Sequence, residues 1–293
     1  MTKRFGWTTI ELMVVVTIGS VVSAGVLTVL RRQQRFFATA TGLIEQRVSL
    51  RDATAILPSE LRMLAPGDVI AFSDTSLDVR VTIGTSVVCD TLAGSVALVA
   101  PGAGTDRQLT TFATTPQPGD LALLYDTGSA TSEQDDGWVP FEIAGLAPNA
   151  SACAVTPFVD RSNLTIPLQL RFAGGVLPPT VSPGTFVRIL RRVRYRFYRA
   201  GTGDWYLGYA EWSGTAFGVV QPVSGPFAAY SRGAGGLTLR YLDASGAQVV
   251  SGDDPRLIAR VGITVRGATR EALSSPRVRL VDSQSITVHL RNR

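Results

Sequence analysis

Residues Leu12–Leu30 hold no charged side chain, and this run constrains the chain more than any other stretch. At helical rise it spans ~28 Å, close to the thickness of a bilayer's hydrocarbon core. A short basic leader, Met1–Gly6, precedes it with Lys3 and Arg4, and a single carboxylate, Glu11, stands at its lip. A carboxylate at a bilayer centre costs roughly 2.5–3.5 kcal/mol and less toward the edge, so Glu11 calls for a compensating role. An ordinary cleaved secretory peptide fits poorly, because the run is too long and no small-residue cleavage site closes it. Charge alone does not orient the helix, since Lys3 and Arg4 flank one end and Arg31, Arg32 and Arg35 the other.

The order Gly6-Trp7-Thr8-Thr9-Ile10-Glu11 followed by the apolar run resembles the class III signal of type IV pilins and type II secretion pseudopilins. That resemblance implies cleavage after Gly6 by a prepilin peptidase and methylation of the new amine on Trp7. Trp7 stands where the family usually has Phe and keeps the bulky aromatic character. Counted from Trp7, Glu11 is the fifth mature residue, the position at which the family carries a glutamate. Its implied role is to pair, during assembly, with the amino terminus of a neighbouring subunit, a pairing favoured in low dielectric. The resemblance further implies a single-pass inner-membrane protein, amino terminus cytoplasmic and head periplasmic, that later enters a pilus or pseudopilus. Its partners would be the prepilin peptidase and other minor pilins or pseudopilins, met through the amino-terminal helix. A plain signal-anchor with a stray glutamate is the simpler competing account.

Within the run, Gly19, Ser20, Ser23, Ala24 and Gly25 either let helices approach closely or loosen the helix. Beyond Leu30 the pattern turns amphipathic. Phe36, Phe37, Ala40, Leu43, Ile44 and Val48, then Leu50, Ala53, Leu57, Leu61 and Leu64, predict a helix with one face against a globular body. Pro58 should kink or restart it, and Ala65-Pro66-Gly67-Asp68 should end it. The segment Leu57–Leu64 resembles, more loosely, the helix end of large minor pilins (W-type) and minor pseudopilins (J-type).

From Val69 onward alternation and turns predict strands at Val69–Phe72, Leu77–Ile83, Ser95–Val99, Leu121–Tyr125 and Val139–Ile143. The loop from Thr127 to Gly137, with Glu133, Asp135 and Asp136, lacks the spacing of an EF-hand and reads as a solvated turn. A second block opens with Phe186–Tyr198, whose Arg188, Arg192, Arg194 and Arg196 share a strand face that Arg191 does not. These four arginines, with Tyr198, Trp205 and Tyr206, offer a candidate nucleic-acid contact, DNA in particular. A solvated or acid-paired strand face is the plainer account, and Trp205, Tyr206, Tyr209 and Trp212 read as cross-strand packing. Leu237–Leu242, Gln248–Val250, Ile258–Val265 and Ile286–Leu290 complete the strands. The run Leu237–Asp243 resembles the late strand-turn segment of the same large minor subunits.

The expected fold is therefore α+β: a long amino-terminal helix, membrane half plus amphipathic half, packed on a β-rich, mostly antiparallel head. The expected divisions are a leader (1–6), a transmembrane and assembly helix (7–30), an amphipathic helix (31–65) and two β-rich regions (66–185 and 186–293). A body exported on that pattern meets an oxidising compartment, where Cys89 and Cys153 either form a disulfide or remain two buried thiols. Two cysteines and one histidine, His289, do not make up a zinc site, so no metal and no cofactor are expected. The formal charge is +5, and loss of Lys3 and Arg4 leaves +5 − 2 = +3 with no lysine. No catalytic constellation or phosphate loop stands out, so the chain is expected not to be an enzyme. The implied function is a minor pilin or minor pseudopilin at a filament tip or in assembly initiation. The alternative is a membrane-anchored periplasmic enzyme or binding domain unrelated to filaments.

Overall fold

A computed structural model describes residues 8–99, 109–128, 134–153, 166–174, 176–231, 235–268 and 281–291. One helix, α1 (Thr9–Leu61), runs unbroken for 53 residues. Its start is fixed by a capping box between Thr8 and Glu11, which satisfies donors that no helical turn precedes. The restart expected at Pro58 does not occur: the helix continues through the proline to Leu61. The proline falls so near the end that only the last turn lies beyond it, and Arg62 N–H still reaches the Pro58 carbonyl at 3.1 Å. The helix stops at Leu61, and a 3-10 turn (Pro66–Asp68) leads into the strands.

Among the described residues fourteen strands follow, mostly antiparallel. They are β1 (Val69–Phe72), β2 (Ser76–Leu92), β3 (Ser95–Leu98), β4 (Thr111–Phe112), β5 (Leu121–Asp126), β6 (Gly137–Pro148), β7 (Leu168–Phe172), β8 (Phe186–Arg199), β9 (Trp205–Glu211), β10 (Gln221–Phe227), β11 (Leu237–Leu242), β12 (Gln248–Val249), β13 (Arg260–Ala268) and β14 (Val281–His289). The last four form a separate sheet in the order β12-β11-β13-β14.

In the larger sheet the pairings β2–β3, β3–β7, β7–β6, β6–β5, β5–β8 and β8–β2 return to their start. These six strands close a barrel. Its inward residues, Val88, Leu98, Leu124, Ile143, Leu170 and Ile189 among them, are buried in one apolar cluster, so the barrel is filled. β2 and β8 are longer than the barrel needs. Their other ends continue as an extension, with β1 on one side and β9 and β10 on the other. The change occurs at a register shift between Thr82 and Gly84, beside β4. A Cβ at Gly84 would stand 2.8 Å from the Thr111 carbonyl, so only glycine lets β4 come this close.

The carboxy-terminal part of α1 buries Leu50, Ala53, Leu57 and Leu61 in the same apolar cluster as the strands. Polar contacts accompany them. Ser49 Oγ donates to the Gly225 carbonyl and Ser224 Oγ to the Ser49 carbonyl, each at 2.8 Å. Gln46 Nε2 donates to the Gly267 carbonyl at 2.9 Å. The earlier stripe does not turn toward the strands as expected: Phe36 and Phe37 are 70% and 66% exposed, and Ile44 and Val48 are exposed as well. The first buried position is Gln46, so Phe36 and Phe37 lie before the head begins, and Ile44 and Val48 fall on the opposite side of the helix.

Candidate functional site

The amino-terminal segment carries the strongest sequence signal. Gly6 and Trp7 lie outside the described residues. Glu11 is described, in the first turn of α1. Its Oε2 accepts from Thr8 N–H at 2.9 Å and from Thr8 Oγ1 at 3.0 Å, while Glu11 N–H donates to Thr8 Oγ1 at 3.3 Å. One carboxylate oxygen therefore caps the chain's own helix, and Oε1 has no partner among the described residues. Glu11 can hold the helix start and still present an oxygen to a cation from elsewhere.

After Glu11 the helix is long and apolar enough to cross a membrane, and none of its apolar window is buried against the rest of the chain. Within it, Thr17 and Thr28 turn their hydroxyls back to the carbonyls of Met13 and Ala24, at 2.8 and 2.7 Å. These polar atoms thus need no water, as a hydrocarbon environment requires.

Cys89 and Cys153 form a disulfide, with Cα atoms 5.1 Å apart. Cys89 lies on β2, and Cys153 ends the short turn after β6. Together with Val87, Ala97, Val99 and Ala152 they form a small apolar cluster outside the barrel wall. Asp90 Oδ2 also accepts from Cys153 N–H at 3.3 Å.

The arginines of β8 are largely engaged. Asp78 is almost fully buried and serves two of them: Arg192 Nη2 at 2.9 Å, and Arg194 through Nε at 2.6 Å and Nη2 at 2.8 Å. The Asp78 bonds raise the Arg194 pKa above its ordinary value, against some loss from burial. The Phe217 ring lies 3.9 Å from the Arg194 guanidinium, and Trp212 covers Arg192 at 4.8 Å. Arg188 donates to Thr82 Oγ1 at 2.9 Å and stands 5.7 Å over Trp138. Arg196 is exposed. Among the described residues neither Arg188 nor Arg196 holds a carboxylate. The expected aromatic packing is present: Trp205 stacks on Phe197, and the Tyr209–Tyr195 and Tyr206–Tyr198 pairs pack with their rings tilted.

Arg191, on the opposite face of β8, is buried. Its guanidinium binds Asp120 through Nε at 2.9 Å and Nη2 at 2.8 Å, and Glu211 through Nη1 at 2.8 Å. Thr114 Oγ1 and the Thr115 carbonyl take its remaining bonds at 3.3 and 2.9 Å. The Asp120 hydrogen bonds are the main cause of its raised pKa. Tyr209, bonded to Glu211, and Tyr195 lie on the same face, and burial pushes both phenols up, helped by the charge of Glu60. Partial burial likewise raises Glu60 above the usual carboxylate range. The sequence showed Arg191 as a break in an apolar face but gave no sign of its partners. The cluster is saturated from within, as a structural tie would be.

His289 is exposed on β14, and among the described residues no three His, Cys, Asp or Glu side chains converge. No family model, curated protein or solved structure matches the chain.

Proposed function

We propose that the chain is a structural subunit of a type IV pilus-like filament or a type II secretion pseudopilus, a minor pilin or minor pseudopilin acting at the tip or in assembly initiation. The observation that carries this reading is the length and exposure of α1. At 53 residues it is ~80 Å long, more than twice a bilayer's hydrocarbon core. Its unburied apolar surface does not end at Arg31, Arg32 and Arg35 but resumes at Phe36 and Phe37. A membrane anchor needs no such surface beyond the bilayer; a helix that joins a bundle of like helices does.

On this reading the amino terminus is cytoplasmic, the head periplasmic, and the membrane half of α1 holds the subunit in the inner membrane before assembly. The part of α1 between the membrane segment and Gln46, where burial begins, is the arm that joins the membrane segment to the head. The peptidase cuts between Gly6 and Trp7 and methylates Trp7. Glu11 keeps its cap through Oε2 and offers Oε1 to the amine of a neighbouring subunit. The deciding experiment is the amino-terminal mass of the membrane-extracted protein, with and without the prepilin peptidase. A chain beginning at methylated Trp7 only when the peptidase is present supports the reading. An intact Met1 leader in both preparations overturns it.

A further inference from the structure

Among the described residues the two sheets have five edge strands, and four are guarded, the two-residue β4 by its shortness. β1 is four residues long with a register shift. β10 contains Pro222 and Pro226 and two register shifts. β12 has two residues. β14 has nine residues, pairs with β13 along its whole length without a shift, and contains neither proline nor lysine. Long, regular, unguarded edges are templates for another strand.

Register identifies the groups that point outward. Leu290 N–H donates to Ala259, so alternation turns the even-numbered residues of β14 toward β13 and the odd-numbered ones away. The hydroxyl contact between Thr264 and Ser285, a non-bonded pair, agrees at 3.0 Å. Ser283 N–H is taken by Asp282 Oδ1 at 2.8 Å. Among the described residues, the backbone groups of Ser285 and Thr287 have no partner on the open side. The side chains of Ser283, Ser285, Thr287 and His289 are exposed.

α1 supplies the second half of the surface. Thr54 Oγ1 meets Gln284 Oε1 at 3.0 Å, which fixes the flank of the helix that borders β14. Arg51 and Arg47 lie one and two turns earlier on that flank. Both arginines are exposed, and among the described residues neither has an ion pair.

We infer that the open edge of β14 accepts an added strand from a partner protein: an extended segment whose carboxylates meet Arg47 and Arg51. A second copy fits less well. Pairing β14 with itself antiparallel would set the two α1 helices antiparallel, so their apolar halves could not enter one membrane from the same side. The open edge itself does not depend on the filament reading; only this exclusion uses the membrane anchor.

The test uses the full chain in detergent micelles and a synthetic peptide of alternating Glu and Val, as long as β14. Hydrogen exchange should slow at Ser285 and Thr287 when the peptide is added. The paired change Arg47→Glu and Arg51→Glu should weaken binding roughly tenfold. A peptide N-methylated on alternate amides should not bind, which tests the strand pairing without altering the protein. The inference is overturned by absent protection, by equal binding of the N-methylated peptide, or by equal binding of a Lys/Val peptide. It is also overturned by a dimer that Thr287→Pro dissolves.

Discussion

Replacing Arg191 by Met should destabilise the head more than any other single charge removal in it. The side chain is 4% exposed and Asp120 is 1% exposed, so loss of the guanidinium strands a carboxylate that water cannot reach. Only the Gln117 N–H, at 2.8 Å, would remain on Asp120 Oδ2. Glu211 is different: at 40% exposure it can turn toward solvent. Breaking a buried pair by removing one partner costs about 3–5 kcal/mol. For a body of this size that corresponds to a fall in Tm of roughly 6–20 °C. Thermal melts of the full chain in detergent, followed by far-ultraviolet circular dichroism, would read it. The double change Arg191→Met with Asp120→Asn should lose less than the sum of the singles, because the stranded charge is gone. A single-variant shift under about 2 °C would refute the reasoning, since it would mean that Asp120 finds water or protonates at little cost.

Glu11→Ala should leave membrane insertion intact and abolish incorporation into filaments, read by fractionation of sheared filaments from membranes; undiminished incorporation would remove the pairing role. Glu60→Gln should have a pH-dependent effect. The folded pKa of Glu60 is raised by burial, so its stability contribution is full below the unfolded carboxylate pKa and is lost as pH rises through the folded one. The glutamine variant should therefore gain on the wild type from acid to neutral pH, an effect softened by the solvent around the half-exposed carboxylate; melts at pH 4 and pH 7 giving the same difference would exclude it. Changing Cys89 and Cys153 to Ser should cost about 4 kcal/mol in the chain-entropy account, for a separation of 64 residues. Unchanged denaturation midpoints would show that the apolar cluster around them suffices.

The helix and many of the strands were legible because their patterns are local. α1 announces itself through an apolar run and Glu11, and β8 through alternation of Val187, Ile189, Val193, Tyr195 and Phe197. The barrel was not legible, because it rests on pairings between distant stretches. β2 was expected to end at Ile83; in the structure the strand passes through a register shift between Thr82 and Gly84 and continues to Leu92. β9 and β10 were missed, since Gly208, Pro222, Gly225 and Pro226 interrupt their alternation. β7 has only five residues, too few for its alternation to stand out. At the amino terminus Glu11 was identified from its place in the motif, but its bond to Thr8 depends on where the helix begins. Burial of Leu50, Ala53, Leu57 and Leu61 followed the stripe, whereas Phe36 and Phe37 carried the same pattern and remain exposed. Periodicity shows that a helix has an apolar face but not which neighbour covers it.

The circular order of the barrel strands has a consequence for the sequence of events during synthesis. A chain made amino end first produces β2 long before Phe186, where the partner for most of its length begins. Until then the β8 edge of this long strand waits, while β1, β4 and β3 can line its other edge. Cys153 emerges before β8, so the bond to Cys89 can form while the sheet is still open. It would then keep β5 and β6, the strands inside its loop, near β2 and shorten the search that β8 must make to seal the circle. The disulfide thus acts in time as well as in place: it stores the work of the first half of the head until the second half arrives.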